Sequence, residues 1–182
     1  MTEALLLVDI QNDYFPGGAM GLVGSPQAAA MAAVLLHAFR HKGLPVVHIQ
    51  HVASRPEATF FLPDTAGVRF HSSVTPFVDE MVIQKHYPNS FRETPLLAHL
   101  RDHHIDTLVI AGMMTHMCID STTRAAVDLG FRCVLAHDAC ATRDLSFGEV
   151  TVAAAAVQAA FLAALHGLFA EVLSVEAICA GL

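Results

Sequence analysis

At 182 residues, 54% hydrophobic and 15% charged, the chain has the balance of a single packed domain over 1–182 and excludes a disordered segment. A net charge of −7 without any Lys/Arg cluster excludes a nucleic-acid surface. The opening Met1-Thr2-Glu3 is no basic leader, and the apolar run after it is too short to span a bilayer; these point to a cytoplasmic protein with no membrane partner and with its four cysteines reduced.

Apolar runs alternate with helical patterns, which is the signature of an α/β sheet. The first strand is expected over Ala4–Val8 and is stopped by Asp9. Ser25-Pro26 reads as a cap followed by proline at the first helical position. That helix runs to His41, where Gly43 ends it. Val46–Val52 is the second strand. From Ala53 to Glu80 the periodicity is lost, with prolines and scattered phenylalanines, and two readings stand: a pocket wall or a subunit contact. Met81–Gln84 forms the third strand and delivers Lys85. Thr94-Pro95 opens a helix to His103, and Thr107–Ala111 is the fourth strand. Thr115 is positioned to cap the next helix, which runs to Leu129. Arg132–Ala136 is the fifth strand. Ser146 and Glu149 form a capping box for a helix ending at Gly167, and Phe169–Leu173 is the sixth strand.

Three residues carry the chemistry. Asp9, Lys85 and Cys118 each follow an apolar run, and strand ends of an open parallel sheet converge on one crevice. A carboxylate, an ammonium and a thiol brought together can make a thiolate and manage its proton. Only two lysines occur, Lys42 and Lys85, so the placement of Lys85 carries weight. Cys118 would lie in the first turn of a helix, where the dipole eases loss of the thiol proton. The alternative is a small buried apolar residue. Asp9 could instead cap loop N–H groups, and Lys85 could be an exposed lysine after a strand. His116 offers a rival Cys–His pair, although residues two apart on a helix point to different sides. The twelve histidines lack a D-x-H or H-E-x-x-H frame, so surface or structural roles are expected, with no metal. No phosphate-binding glycine loop is present, and no cofactor is expected.

Three stretches in order then point to a family. They are Leu7-Val8-Asp9-Ile10-Gln11-Asn12-Asp13-Tyr14, Gln84-Lys85 through Asn89-Ser90-Phe91, and Val109-Ile110-Ala111-Gly112 through Cys118 to Thr122-Thr123-Arg124-Ala125-Ala126. With Asp138-Ala139, they resemble the isochorismatase-like cysteine hydrolases, which include nicotinamidases and N-carbamoylsarcosine amidohydrolases. The resemblance implies a three-layer Rossmann-like sandwich with a six-stranded parallel sheet, order 3-2-1-4-5-6, and helices on both faces. It implies a triad of Asp9, Lys85 and Cys118, a cis Met113–Met114 peptide, an oxyanion hole of the Met114 and Cys118 N–H groups, and a homo-oligomer.

The chain departs from nicotinamidases at His48-Ile49-Gln50-His51-Val52-Ala53-Ser54, which lacks their metal-binding aspartate. It departs from true isochorismatases in having Cys118. The expectation is therefore a metal-independent hydrolase of a small-molecule amide or related C–N bond, with Tyr14, Phe91 and His116 lining the pocket. Ether hydrolysis by Asp9 with Cys118 a spectator is one alternative, and a thiol sensor or ligand-binding protein is another.

Overall fold

The structure, a computed structural model, describes residues 2–182, so Met1 of the leader reading lies outside it. The elements are β1 (Glu3–Val8), α1 (Ser25–His41), β2 (Val46–His51), β3 (Met81–Lys85), α2 (Leu96–Asp102), β4 (Thr107–Met113), α3 (Asp120–Asp128), β5 (Arg132–Ala141), β6 (Leu145–Phe147), β7 (Val150–Val152), α4 (Ala154–Leu165), β8 (Glu171–Leu173) and α5 (Val175–Gly181). Among the described residues, no helix is long and apolar enough to cross a membrane.

The central sheet has six parallel strands in the order β3-β2-β1-β4-β5-β8. Within it, β1 is an apolar run from Ala4 to Val8 because both of its faces are covered. Leu5 and Leu7 pack with α1 and α5, while Ala4, Leu6 and Val8 pack with α2, α3 and α4. Each leucine buried in this way contributes about 2 kcal/mol.

The edge position is held by β8, within the segment expected as the sixth strand, Phe169–Leu173, so the order ends in the eighth strand of the chain rather than the sixth. The two extra strands, β6 and β7, form a small antiparallel hairpin apart from the main sheet. They occupy the segment expected to open a helix. Ser146 caps nothing there and pairs its hydroxyl with that of Thr151 at 2.9 Å. The Val150-Thr151-Val152 run favours strand. The helix begins only at Ala154, whose N–H donates to Asp144 Oδ1 at 2.7 Å.

Two other expectations are corrected at element ends. The α1 cap is Gly24, at φ 74°, rather than Ser25, whose hydroxyl donates back to Leu22 O. Strand β5 runs on to Ala141, with an irregularity opposite Ile110–Gly112. His137 and Asp138 break the apolar pattern without ending the strand, and Asp138 Oδ1 accepts the N–H of Val175 at the start of α5.

Much of the long irregular segment folds back on its own chain, burying Phe61, Val68 and Val74. Its far end is tied by Glu80. Arg40 donates to both carboxylate oxygens at 2.7 Å, His48 Nε2 lies at 2.9 Å, and the Phe77 N–H donates at 2.8 Å. Burial alone would raise the Glu80 carboxyl, but these partners outweigh it and hold it at about 2, against 4.5 for a free glutamate. The folded value is depressed, so this stabilisation is complete above pH 4.5 and is lost as pH falls toward 2. Glu80→Gln is expected to cost about 2–3 kcal/mol at neutral pH and to flatten the stability profile over that acid window. Urea melts of both proteins between those pH values check it.

Candidate active site

Asp9 is the first residue beyond β1, at φ 53°. Aspartate is among the few side chains that tolerate this left-handed backbone, and the turn ends the strand with a carboxylate that is fully buried. Lys85 closes β3 and shares the inward direction of Ile83, two residues earlier. The sheet order sets β3 two positions from β1, about 10 Å away, and the long lysine stem covers that gap. Its ammonium reaches Asp9 Oδ2 at 2.7 Å and Cys118 Sγ at 3.3 Å. The same nitrogen lies 3.1 Å from His51 Nδ1 and 3.1 Å from Tyr87 O.

Cys118 follows β4 in a π-helical turn, Thr115–Ile119, that leads into α3. Close packing of β4 on β1 brings this turn over Asp9. Gly112, at φ 137°, permits the approach, because an added Cβ would overlap the Val8 carbonyl. The Met113–Met114 peptide is cis. Thr115 does not cap the turn, since its hydroxyl faces Gln158 Oε1 at 2.6 Å and Ala141 O at 3.2 Å instead.

Electrostatics here differ from the expected easing of the thiol proton. Burial pushes the Cys118 thiol up, the Asp9 carboxylate adds to this, and the Lys85 ammonium only partly opposes it. The resting sulfur is a thiol beside a carboxylate. Burial alone would lower the Lys85 ammonium, but Asp9 and Cys118 outweigh it, so the group is raised and stays charged. Asp9 Oδ1 is buried and has no hydrogen-bond partner among the described residues, leaving one carboxylate oxygen free to accept a proton.

The proposed pocket residues separate. Tyr14 is buried, with its ring 4.6 Å from Phe61. Burial raises its phenol, and the neighbouring Asp9 adds to this. His116 turns its Nδ1 to Thr142 Oγ1 at 2.6 Å, and no hydrogen bond joins it to Cys118 among the described residues. Phe91 is corrected: it stacks on Phe131, centroids 6.0 Å apart, at the opposite end of β5 from the crevice. It packs against the core cluster of Leu96, Leu100 and Phe131.

The sequence assigns His51 a surface or structural role, yet its ring sits in the site. The signal is its register, for it pairs with Lys85 across β2 and β3. Gln11 holds it there. The Gln11 amide accepts the His51 N–H at 2.8 Å and donates to His51 O at 2.9 Å and Val68 O at 2.7 Å. The Asp9, His51 and Cys118 donor atoms lie within 4.8 Å of one another, a grouping that could hold a metal ion. The Lys85 ammonium already stands within 3.3 Å of an atom of each.

A model of the Isochorismatase domain matches residues 3–177. The uncharacterized isochorismatase family protein YddQ of Bacillus subtilis is 50% identical over 97% of this chain and 98% of its own length. A streptothricin hydrolase of Streptomyces noursei is 36% identical over 79% of this chain and 51% of its own. The isochorismatase-hydrolase structure from Oleispira antarctica superposes with a TM-score of 0.94 at 52% identity, covering 99% of this chain and 97% of that one. With its sheet order, its buried acid–ammonium–thiol trio and these matches along nearly its whole length, the chain belongs to the isochorismatase family.

Proposed function

We propose that the chain hydrolyses a small amide, or a related C–N bond, through a thioester on Cys118 and without a metal. The observation that carries this reading is the Lys85 ammonium lying 2.7 Å from Asp9 and 3.3 Å from Cys118. It supplies a fixed positive charge where thiolate and oxyanion charge develop. The similarity to a streptothricin hydrolase supports hydrolysis.

Asp9 takes the Cys118 proton as the sulfur attacks the carbonyl carbon. The new oxyanion is held by the Met114 and Cys118 N–H groups and by Lys85. The tetrahedral adduct collapses, the C–N bond breaks, and the protonated Asp9 gives its proton to the departing amine or ammonia. Water then enters, Asp9 removes its proton, and the resulting attack on the thioester releases the acid and restores the thiol. The thiol is raised at rest, so deprotonation accompanies attack instead of preceding it.

Intact-mass spectrometry during turnover of a panel of primary amides and ureido compounds tests this. The expected result is an acyl-sized mass increase that maps to Cys118 and decays as product forms. An amide that turns over with no adduct, even after rapid acid quench, would sink the thioester.

A further inference from the structure

The site contains a group that the mechanism above does not use. His51 Nδ1 lies 3.1 Å from Lys85 Nζ, completing the acceptors around the ammonium together with Asp9 Oδ2, Cys118 Sγ and Tyr87 O. An ammonium can only donate, so where this contact carries one of its hydrogens Nδ1 accepts and the imidazole proton sits on Nε2. Four acceptors surround three ammonium hydrogens. Losing any one of them frees Nζ to settle closer to the others and away from its present position.

We propose that His51 is a positioning residue for the reaction: its neutral imidazole, clamped through its backbone by Gln11, holds the Lys85 ammonium midway between the Asp9 carboxylate and the Cys118 sulfur. A lysine stem has four rotatable carbons and keeps no fixed position by itself. The shortest contact, to Asp9, would draw the ammonium toward the carboxylate and leave the sulfur less well served. His51 pulls from the adjacent strand. Its ring is held by Phe61, with centroids 5.8 Å apart, and by the two backbone bonds to Gln11.

Charge supports this role. The groups acting on the ring are Asp9, which favours protonation, and Lys85, His86 and Arg55, which oppose it. Burial lowers the imidazole to about 4, so it remains neutral and able to accept across the range in which a carboxylate and an ammonium coexist.

The inference rests on the thiol reading of Cys118, and the test separates the two. Alkylation of Cys118 by iodoacetamide is followed by mass spectrometry as a function of pH, in the wild type and in His51→Leu, His51→Ser and His51→Asn. Leucine lacks an acceptor and serine is too short to reach Nζ. Both should slow alkylation at pH 8 about tenfold, because the thiolate loses its cation. The asparagine side chain can offer its Oδ1 in the place of Nδ1, and that variant should stay within about threefold of the wild type. If leucine does not fold, the serine variant carries the same expectation. Leucine and serine variants with wild-type rates overturn the positioning role, as does an asparagine variant that is no faster than leucine. A wild-type Cys118 that resists alkylation at every pH overturns both this inference and the thioester mechanism.

Discussion

Cys118→Ala is expected to lower amide turnover by at least about 10³-fold and to abolish the acyl adduct, while leaving the fold intact. Alanine removes one buried sulfur that lies against Asp9, Lys85 and the surrounding core, at a stability cost of about 1 kcal/mol. Lost activity would therefore report chemistry and not unfolding. The paired variant is Asp9→Asn, which keeps the shape but cannot take a proton. Under the thioester mechanism both substitutions are severe, because Asp9 handles the proton in both half-reactions. Near-additive losses in the double variant would speak against a shared step. Turnover that survives Cys118→Ala but dies with Asp9→Asn would instead mark the vinyl-ether chemistry of isochorismatase, with the sulfur a bystander. Steady-state rates on the same amide panel plus isochorismate decide between them.

Lys85→Met should have the largest effect on stability. The ion pair with Asp9 is fully buried on both sides at 2.7 Å. Removing one member leaves a carboxylate in the core with its other oxygen already unpartnered, which typically costs 3–5 kcal/mol. For a chain of this size that lowers the melting temperature by about 6–20 °C. The double variant Asp9→Asn, Lys85→Met removes both charges and should recover most of the loss while remaining inactive. Denaturant melts of the wild type, the single variants and the double variant give the coupling directly, and a Lys85→Met protein as stable as the wild type would show that the pair is not the buried contact described. The sign for pH follows from the raised ammonium. Its contribution is complete below 10.5 and fades only as pH rises through the still higher folded value, so the pair stabilises the protein throughout the neutral range.

The trio is legible because each member interrupts a local pattern. Asp9 ends a run of apolar residues, Lys85 is a rare lysine at a strand end, and Cys118 follows a glycine-bearing turn after a strand. His51 is not legible in this way. A histidine at the end of a strand looks like any other, and its partner is 34 residues away across the sheet. Phe91 misleads for the opposite reason, since proximity in sequence to a motif says nothing about which end of the sheet an aromatic ring will reach. The capping box at Ser146 and Glu149 fails because three β-branched residues, Val150-Thr151-Val152, outweigh a cap pattern, and the cap in use comes from Asp144, ten residues before the helix start.

By itself, then, the sequence determined the alternation of strands and helices and the three residues that follow its apolar runs. Periodicity and residue scarcity are local properties, readable along a line. Tertiary structure alone decided that the ammonium is shared by four acceptors, that the thiol is raised, and that β6 and β7 pair apart from the main sheet. The first two depend on distances between groups far apart in the chain, and on how completely the packed layers exclude water from the charges between them.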